Sequence, residues 1–214
     1  MSYTPEIAAA LSGATLRQLA YWRSSRTSRS RPSRPLLAPE VYFPRSRVSY
    51  SFRDVLALRT FVYLKARGVS LQRVRKAVRS LRDMGETDHV SAYTLVASGR
   101  DVVWRQSDDD AVDLTRHPRH QVIAKMIDIV RPFDTVVALY APKPGIQVDP
   151  EVRGGYPVME GTRVPYDLVA SLLDDGVSPE DVTAIDPSVD TSAVQGAAEF
   201  AKYVREHRGL SSAA

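Results

Sequence analysis

No cysteine occurs among the 214 residues, which excludes disulfides, thiolate catalysis and cysteine-ligated zinc. Histidine is scarce as well, with four in all. The one local pair, His117 and His120, flanks Pro118 with no carboxylate close by, so no metal site is expected there. No apolar run approaches the roughly 20 residues of a membrane span. The N-terminus also lacks the apolar core of a signal peptide, and a cytoplasmic protein without membrane contact is expected. Catalytic motifs are missing too. There is no phosphate-binding Walker loop, no HExxH pair and no Ser-His-Asp set that spacing brings together. Asp108–Asp110 reads as a solvated turn rather than a metal site. The chain is read as a non-enzyme, with no cofactor.

What is present is an uneven charge. Residues 1–82 hold 17 Lys and Arg against three Asp and Glu, a net of +14, while residues 83–214 hold 12 against 22, a net of −10. The modest overall +4 conceals a basic front and an acidic back. A cationic domain seeks polyanions because neutralised phosphates release condensed counterions. The front is therefore where a nucleic acid would bind.

Thr4-Pro5 caps and opens a first short helix with Ile7, Ala8 and Leu11 on one face. A turn at Ser12–Ala14 follows, and Thr15 caps a second helix whose Leu16, Leu19 and Trp22 share a face. Two short helices about such a turn are a helix-turn-helix pattern. Residues 24–35 carry four Arg and no hydrophobic residue, the composition of a flexible basic arm or loop. Leu36–Val48, with alternating Val41 and Phe43, suits a short hairpin. Ser51 and Asp54 form a capping box for a third helix, and Ser70 caps a fourth carrying Leu71, Val74, Val78 and Leu81. Further on, Val90–Ala97 and Val102–Arg105 read as a hairpin about Ser98–Asp101. Val122–Val130 suits a helix or a strand, and Ala141–Gly145 reads as a linker. Three helices follow, opened by Pro165, by Ser178-Pro179, and by Asp190 or Thr191. The fold class expected is α+β, mainly α. Three units are expected: 1–85, 86–144 with a small β-hairpin and a dimerisation role, and a 145–214 three-helix domain.

Candidate base-reading residues are Thr15, Arg17, Gln18, Tyr21 and Arg23 on the second helix. Arg and Gln match the donor and acceptor patterns of guanine and adenine edges in the major groove. A solvated basic face is the alternative. The dense arginines around that helix favour DNA: Arg26, Arg29, Arg31, Arg34, Arg45, Arg47 and Arg53 are placed on phosphates, with Tyr50 as a hydroxyl donor.

Residues 3–82 resemble the winged helix-turn-helix of the MerR family. The resemblance rests on Tyr3–Trp22, the basic segment after it, YSFRDVLALR at Tyr50–Arg59 and GVSLQRVR at Gly68–Arg75. It implies a homodimer on double-stranded promoter DNA, with the second helix in the major groove and the wing on the backbone. The chain departs from that family in lacking the long C-terminal dimerisation helix and the effector-binding cysteines.

The stretch IQVDPEVRGGYPVMEGTRVP at Ile146–Pro165 resembles the signature of domain-of-unknown-function family 433, and the following helices match that family too. The combination resembles a VapB-type antitoxin. It implies an autorepressor that neutralises a PIN-domain ribonuclease toxin; the alternative is a stand-alone MerR-like regulator with a C-terminal dimerisation or ligand-binding domain. Gly154, Gly155 and Gly161 suit left-handed backbone or close chain approach. Arg153 and Arg163 have two readings: bonding to loop carbonyls, Asp149 or Glu160, or presentation to the nuclease carboxylates that hold Mg²⁺. Arg205 and Arg208 are rival partner-binding donors.

Overall fold

A computed structural model describes residues 2–28, 31–41, 48–86, 88–98, 101–105, 111–113 and 136–210. Helix α1 (Pro5–Ser12) starts as its sequence directs, with Thr4 accepting from the Ile7 N–H and Pro5 in the first turn. It ends at Gly13, whose φ of 76° supplies the left-handed residue that closes the helix. Side chains at Ile7–Ser12 are all buried, so α1 is a central rod and not a surface helix. Helix α2 (Leu16–Arg23) follows, anchored by buried Leu19 and Trp22. Trp22 meets Phe61 edge-on at 5.7 Å.

The next segment corrects the sequence reading. The hairpin lies within the arginine-rich stretch expected to be a flexible arm: β1 (Arg26–Ser28) pairs with β2 (Arg31–Ser33) in the register Arg26↔Ser33 and Ser28↔Arg31. At the head of the segment expected to form a second hairpin, Leu36 and Leu37 are buried in the core, and residues 42–47, where its strands would pair, lie outside the described residues. The Leu36 and Leu37 N–H groups both donate to the Trp22 carbonyl, at 2.8 and 3.2 Å. Backbone pairing needs no apolar face, whereas two adjacent leucines gain more by burial than by alternation. Phe43, Arg45 and Arg47 lie outside the described residues.

Helix α3 (Phe52–Ala66) opens on the Ser51/Asp54 capping box, and α4 (Leu71–Asp83) opens on Ser70. The expected hairpin about Ser98–Asp101 is present: β3 (Thr94–Ser98) pairs with β4 (Asp101–Arg105), which also pairs with β5 (Ala111–Asp113). Val90, Tyr93, Leu95 and Val102 join the core shared with α3 and α4. Asp108–Asp110, the His117/His120 pair and Val122–Val130 lie outside the described residues.

Ala141–Gly145 is not a free linker. Lys143 bridges to Ile146, Leu139 is fully buried, and a methyl group on Gly196 would run into the Pro144 carbonyl oxygen. Two short strands follow, β6 (Ile146–Gln147) and β7 (Val158–Met159), then helices α5 (Tyr166–Asp174), α6 (Pro179–Ile185) and α7 (Thr191–Leu210). The last of these is 20 residues long, packing on α5 and α6 within its own unit and on α1 beyond it. One hydrophobic cluster therefore runs from Tyr3 to Val204. The architecture is mainly helical with small antiparallel sheets, as the composition of caps and periodicities predicts.

Because α1 ends in the interior, its last carbonyls need donors from other elements. The Gly13 N–H takes Ala9 O. The Tyr203 hydroxyl of α7 donates to Ala10 O at 3.2 Å. Arg59 of α3, 0% exposed, donates to Leu11 O at 2.5 Å and to Val137 O at 2.7 Å. Burial lowers the Arg59 pKa to about 10, so the guanidinium stays charged at neutral pH and faces the negative end of the helix dipole.

Two substitutions test this packing. Arg59→Met should cost about 3 kcal/mol, since carbonyls of Leu11 and Val137 are left buried without their donor. Gly196→Ala, which on an open helix would stabilise by up to ~1 kcal/mol, should instead destabilise by ~1–3 kcal/mol through overpacking. Chemical denaturation midpoints read both, and a gain in stability for the alanine variant contradicts the packing of α7 on Pro144.

Candidate nucleic-acid interface

Helix α2 begins with a complete capping box. Thr15 accepts from the Gln18 N–H at 3.1 Å, and the Gln18 side-chain oxygen accepts from the Thr15 N–H at 2.9 Å. This bears on the reading of bases. Bidentate pairing with adenine uses both the oxygen and the NH₂ of the amide. In Gln18 the oxygen is already engaged, and the NH₂ is the group left to face a base. Thr15 is likewise occupied as the cap. Arg17 and Arg23 are exposed, and Tyr21 is half-buried.

Two neighbours hold this outer face. The Arg75 guanidinium of α4 lies 5.4 Å from the centre of the Tyr21 ring, a cation–π contact. Among the described residues, Arg75 Nη2 is buried without a hydrogen-bond partner, and the ring is what it meets. Arg23 lies beside the Tyr50 hydroxyl. Burial pushes the Tyr50 pKa up, and the Arg23 charge pulls it the other way.

The expected phosphate contacts are unevenly placed. Arg34 and Arg53 are exposed, but Arg53 is paired with Glu40 at 3.1 Å. Such surface pairs contribute little and yield readily to a phosphate. Arg26 and Arg31 lie on the hairpin strands, and Arg29, Arg45 and Arg47 lie outside the described residues. Tyr50 is 0% exposed, its backbone bridged to Tyr3, so its hydroxyl is not offered to solvent. The sequence reading missed the basic stripe of α4. Arg75, Arg79 and Arg82 recur at helical spacing along one side of the buried face formed by Val74, Ala77, Val78 and Leu81, and that spacing was the available signal. Burial and the nearby Arg34 charge both lower the Arg82 pKa, so Arg34 and Arg82 bring like charges together.

Asp54 and His89 form a buried tie that spacing did not reveal. Asp54 accepts from the N–H groups of Ser51 at 2.8 Å and Glu40 at 3.1 Å, and from His89 Nε2 at 3.1 Å. His89 Nδ1 lies 2.8 Å from Ser91 Oγ and also accepts the Ser91 N–H at 3.2 Å. The proton therefore sits on Nε2. The Asp54-His89-Ser91 order resembles a charge-relay set, yet the Nδ1 lone pair is spent on capping the Val90–Ala92 turn.

In the C-terminal unit, Arg153 takes the loop-carbonyl alternative, donating to Arg163 O at 3.3 Å from a backbone with φ of 50°. Its Nε is buried without a partner among the described residues. Arg163 is exposed, Arg205 is paired with Asp174 at 3.3 Å, and the side chain of Arg208 lies outside the described residues. Gly155 is where this loop meets the N-terminal unit. The Tyr3 hydroxyl donates to its carbonyl at 2.5 Å, and a methyl group there would fall 2.6 Å from that hydroxyl and 2.8 Å from Phe52. Among the described residues no group of three or more His, Asp and Glu is placed to hold a metal, and no helix is long and apolar enough to cross a membrane.

Comparison with known proteins places two domains on this framework. Residues 3–81 match the family described as MerR HTH family regulatory protein, and residues 146–201 match the protein of unknown function family DUF433. A MerR-like helix-turn-helix domain and a DUF433 domain are thus present. Over 114 residues the chain is 36% identical to the uncharacterized HTH-type transcriptional regulators Rv1830 of Mycobacterium tuberculosis and Mb1861 of Mycobacterium bovis. The match takes in 53% of this chain and 48% of each relative, so it spans about half the length of those proteins. The crystal structure of Rv2018 from Mycobacterium tuberculosis aligns over 91% of this chain and 96% of its own, at a TM-score of 0.55 and 16% identity. That likeness is one of fold.

The double duty of Gln18 gives a direct test. Gln18→Ala should lower stability by about 1 kcal/mol through loss of half the capping box, while Arg17→Ala should leave stability within about 0.5 kcal/mol. Equal denaturation midpoints for the two variants would remove the capping role.

Proposed function

We propose that this chain is a DNA-binding transcription regulator, reading a promoter through α2 as a homodimer, and that it acts as an antitoxin whose C-terminal unit neutralises a PIN-type ribonuclease. The working division is 1–85 for DNA, 86–144 for dimerisation and 145–214 for the nuclease. The observation that carries the first half is the outer face of α2, which presents Arg17 and Arg23 beside the basic stripe of α4. The MerR-like match over residues 3–81 supports the same reading, as do relatives named as HTH-type transcriptional regulators.

The DUF433 match over residues 146–201 supports the second half, together with exposed Arg163. A guanidinium set among the carboxylates of a Mg²⁺-dependent nuclease would compete with the metal through charge-assisted hydrogen bonds. A specific observation favours the second reading, a stand-alone regulator. Arg153 and Arg205 are engaged within the chain, and the C-terminal unit is packed on α1 as a scaffold for the helix-turn-helix.

The two halves separate experimentally. Binding to the chain's own promoter should weaken steeply with salt, the slope of log K against log salt being about −0.9 per phosphate neutralised. A flat response contradicts the basic face. Co-expression with the product of an adjacent reading frame should give a complex and restore growth. Absence of both, with promoter binding intact, leaves the stand-alone regulator.

A further inference from the structure

Helix α7 reaches across the molecule to the turn that joins α1 to α2. Tyr203 donates to Ala10 O at 3.2 Å, within the last turns of α1. One turn further along α7, His207 Nε2 lies 3.0 Å from Ala14 O, the last carbonyl before the Thr15 cap of α2. Ala14 is fully buried, and its own N–H is taken by the Ser12 hydroxyl at 3.3 Å. The residue from which α2 departs is therefore held on both its backbone groups. Three residues, Gly13–Thr15, separate the two helices, and Gly13 packs against Val136 so closely that no methyl group fits.

We propose that Tyr203 and His207 are positioning residues for the reading helix: by holding Ala10 and Ala14 they make the C-terminal unit set the direction in which α2 leaves the turn. This rests on the reading of α2 as the DNA-reading helix. Neither side chain is expected to touch DNA. Their effect is on pre-organisation, because a short helix on a mobile turn would pay ordering entropy at the moment of binding.

The same residues connect α2 to the C-terminal unit through packed rings. An aromatic series connects Tyr156 to Tyr166 (6.2 Å), Phe200 (4.7 Å), Tyr203 (6.4 Å) and His207 (5.9 Å). Tyr156 also bonds Asp167 on α5 at 2.8 Å and stacks on Tyr3 at 6.5 Å. A protein that grips the loop of Arg153 and α5 therefore holds one end of a packed series whose other end is Ala14.

The test uses the full chain with Tyr203→Phe, His207→Ala and His207→Gln, the last keeping an N–H donor. Tyr203→Phe and His207→Ala should each weaken promoter binding about fivefold, the worth of one hydrogen bond. The salt slope should not change, because no phosphate contact is lost. Amide exchange across Leu16–Arg23 should quicken in both, and His207→Gln should restore most of each property. Val182→Ala, in the core of α6, supplies a control of general stability. Unchanged exchange in Leu16–Arg23 together with unchanged DNA affinity overturns the proposal. So does a Val182→Ala variant of equal global destabilisation that loosens α2 as much. If the unaltered chain binds no duplex, the DNA reading falls alone, and the exchange comparison still decides whether α7 positions α2.

Discussion

The first helix ends in the middle of the protein, and its free carbonyls must be satisfied there. On a surface, water would serve them. Here donors arrive from three directions: Gly13 from the chain itself, Arg59 from α3 and Tyr203 from α7. Each donor fixes the element that carries it. Arg59 also holds Val137, which draws the segment before β6 against the same point. Tyr203 is flanked by the Val137 backbone and by Arg59, both of which oppose the rise in its pKa caused by burial. The N-terminal and C-terminal units are thus joined by a polar requirement as well as by apolar area. A buried guanidinium whose partners are neutral carbonyls would be costly alone, and the helix dipole offsets part of that cost.

This explains what could be read in the sequence and what could not. The caps at Thr4, Thr15, Ser51, Ser70 and Ser178 are local devices, written within four residues, and all are used as read. The Ser98–Asp101 turn is local too. The arginine-rich segment misleads because composition reports solubility and not backbone pairing, so β1 and β2 were hidden within it. Ala141–Gly145 misleads for a related reason: two prolines and a glycine suit a linker, but they also suit a strap that must lie close to α7 at Gly196. Nothing near Arg59 or Tyr50 marks them for burial. One sits in a helix with a single other arginine, Arg53, and the other beside a cap, and only the tertiary fold buries them.

Charge and packing divide the work between the units. From residue 164 to residue 201 there are eight acidic side chains and no Lys or Arg. Helices α6 and α7 follow one another across a short turn, an order that by itself would invite comparison with a second DNA-reading pair. Two facts argue against that use. The acidic field repels phosphates, and α7 is committed to α1, with Val194, Ala197, Phe200 and Val204 buried. The charge split is thus consistent with the proposed use of the basic front, and not the acidic back, for DNA.

Helix α2, which we propose reads DNA, has little with which to hold its own geometry. It is eight residues long, short of what forms a stable helix alone in water. Trp22 ties it to α3 through Phe61, Tyr21 ties it to α4 through Arg75, and Ala14 ties its start to α7 through His207. Gln18 closes the cap from within. Every residue that orients the outer face is thus either buried or already bonded, and the exposed Arg17 and Arg23 contribute direction only because the others are fixed. Specificity in such a helix depends as much on the three elements behind it as on the two arginines in front. On the proposed reading, substitutions behind α2 would act on recognition through its orientation, without removing a contact to a base.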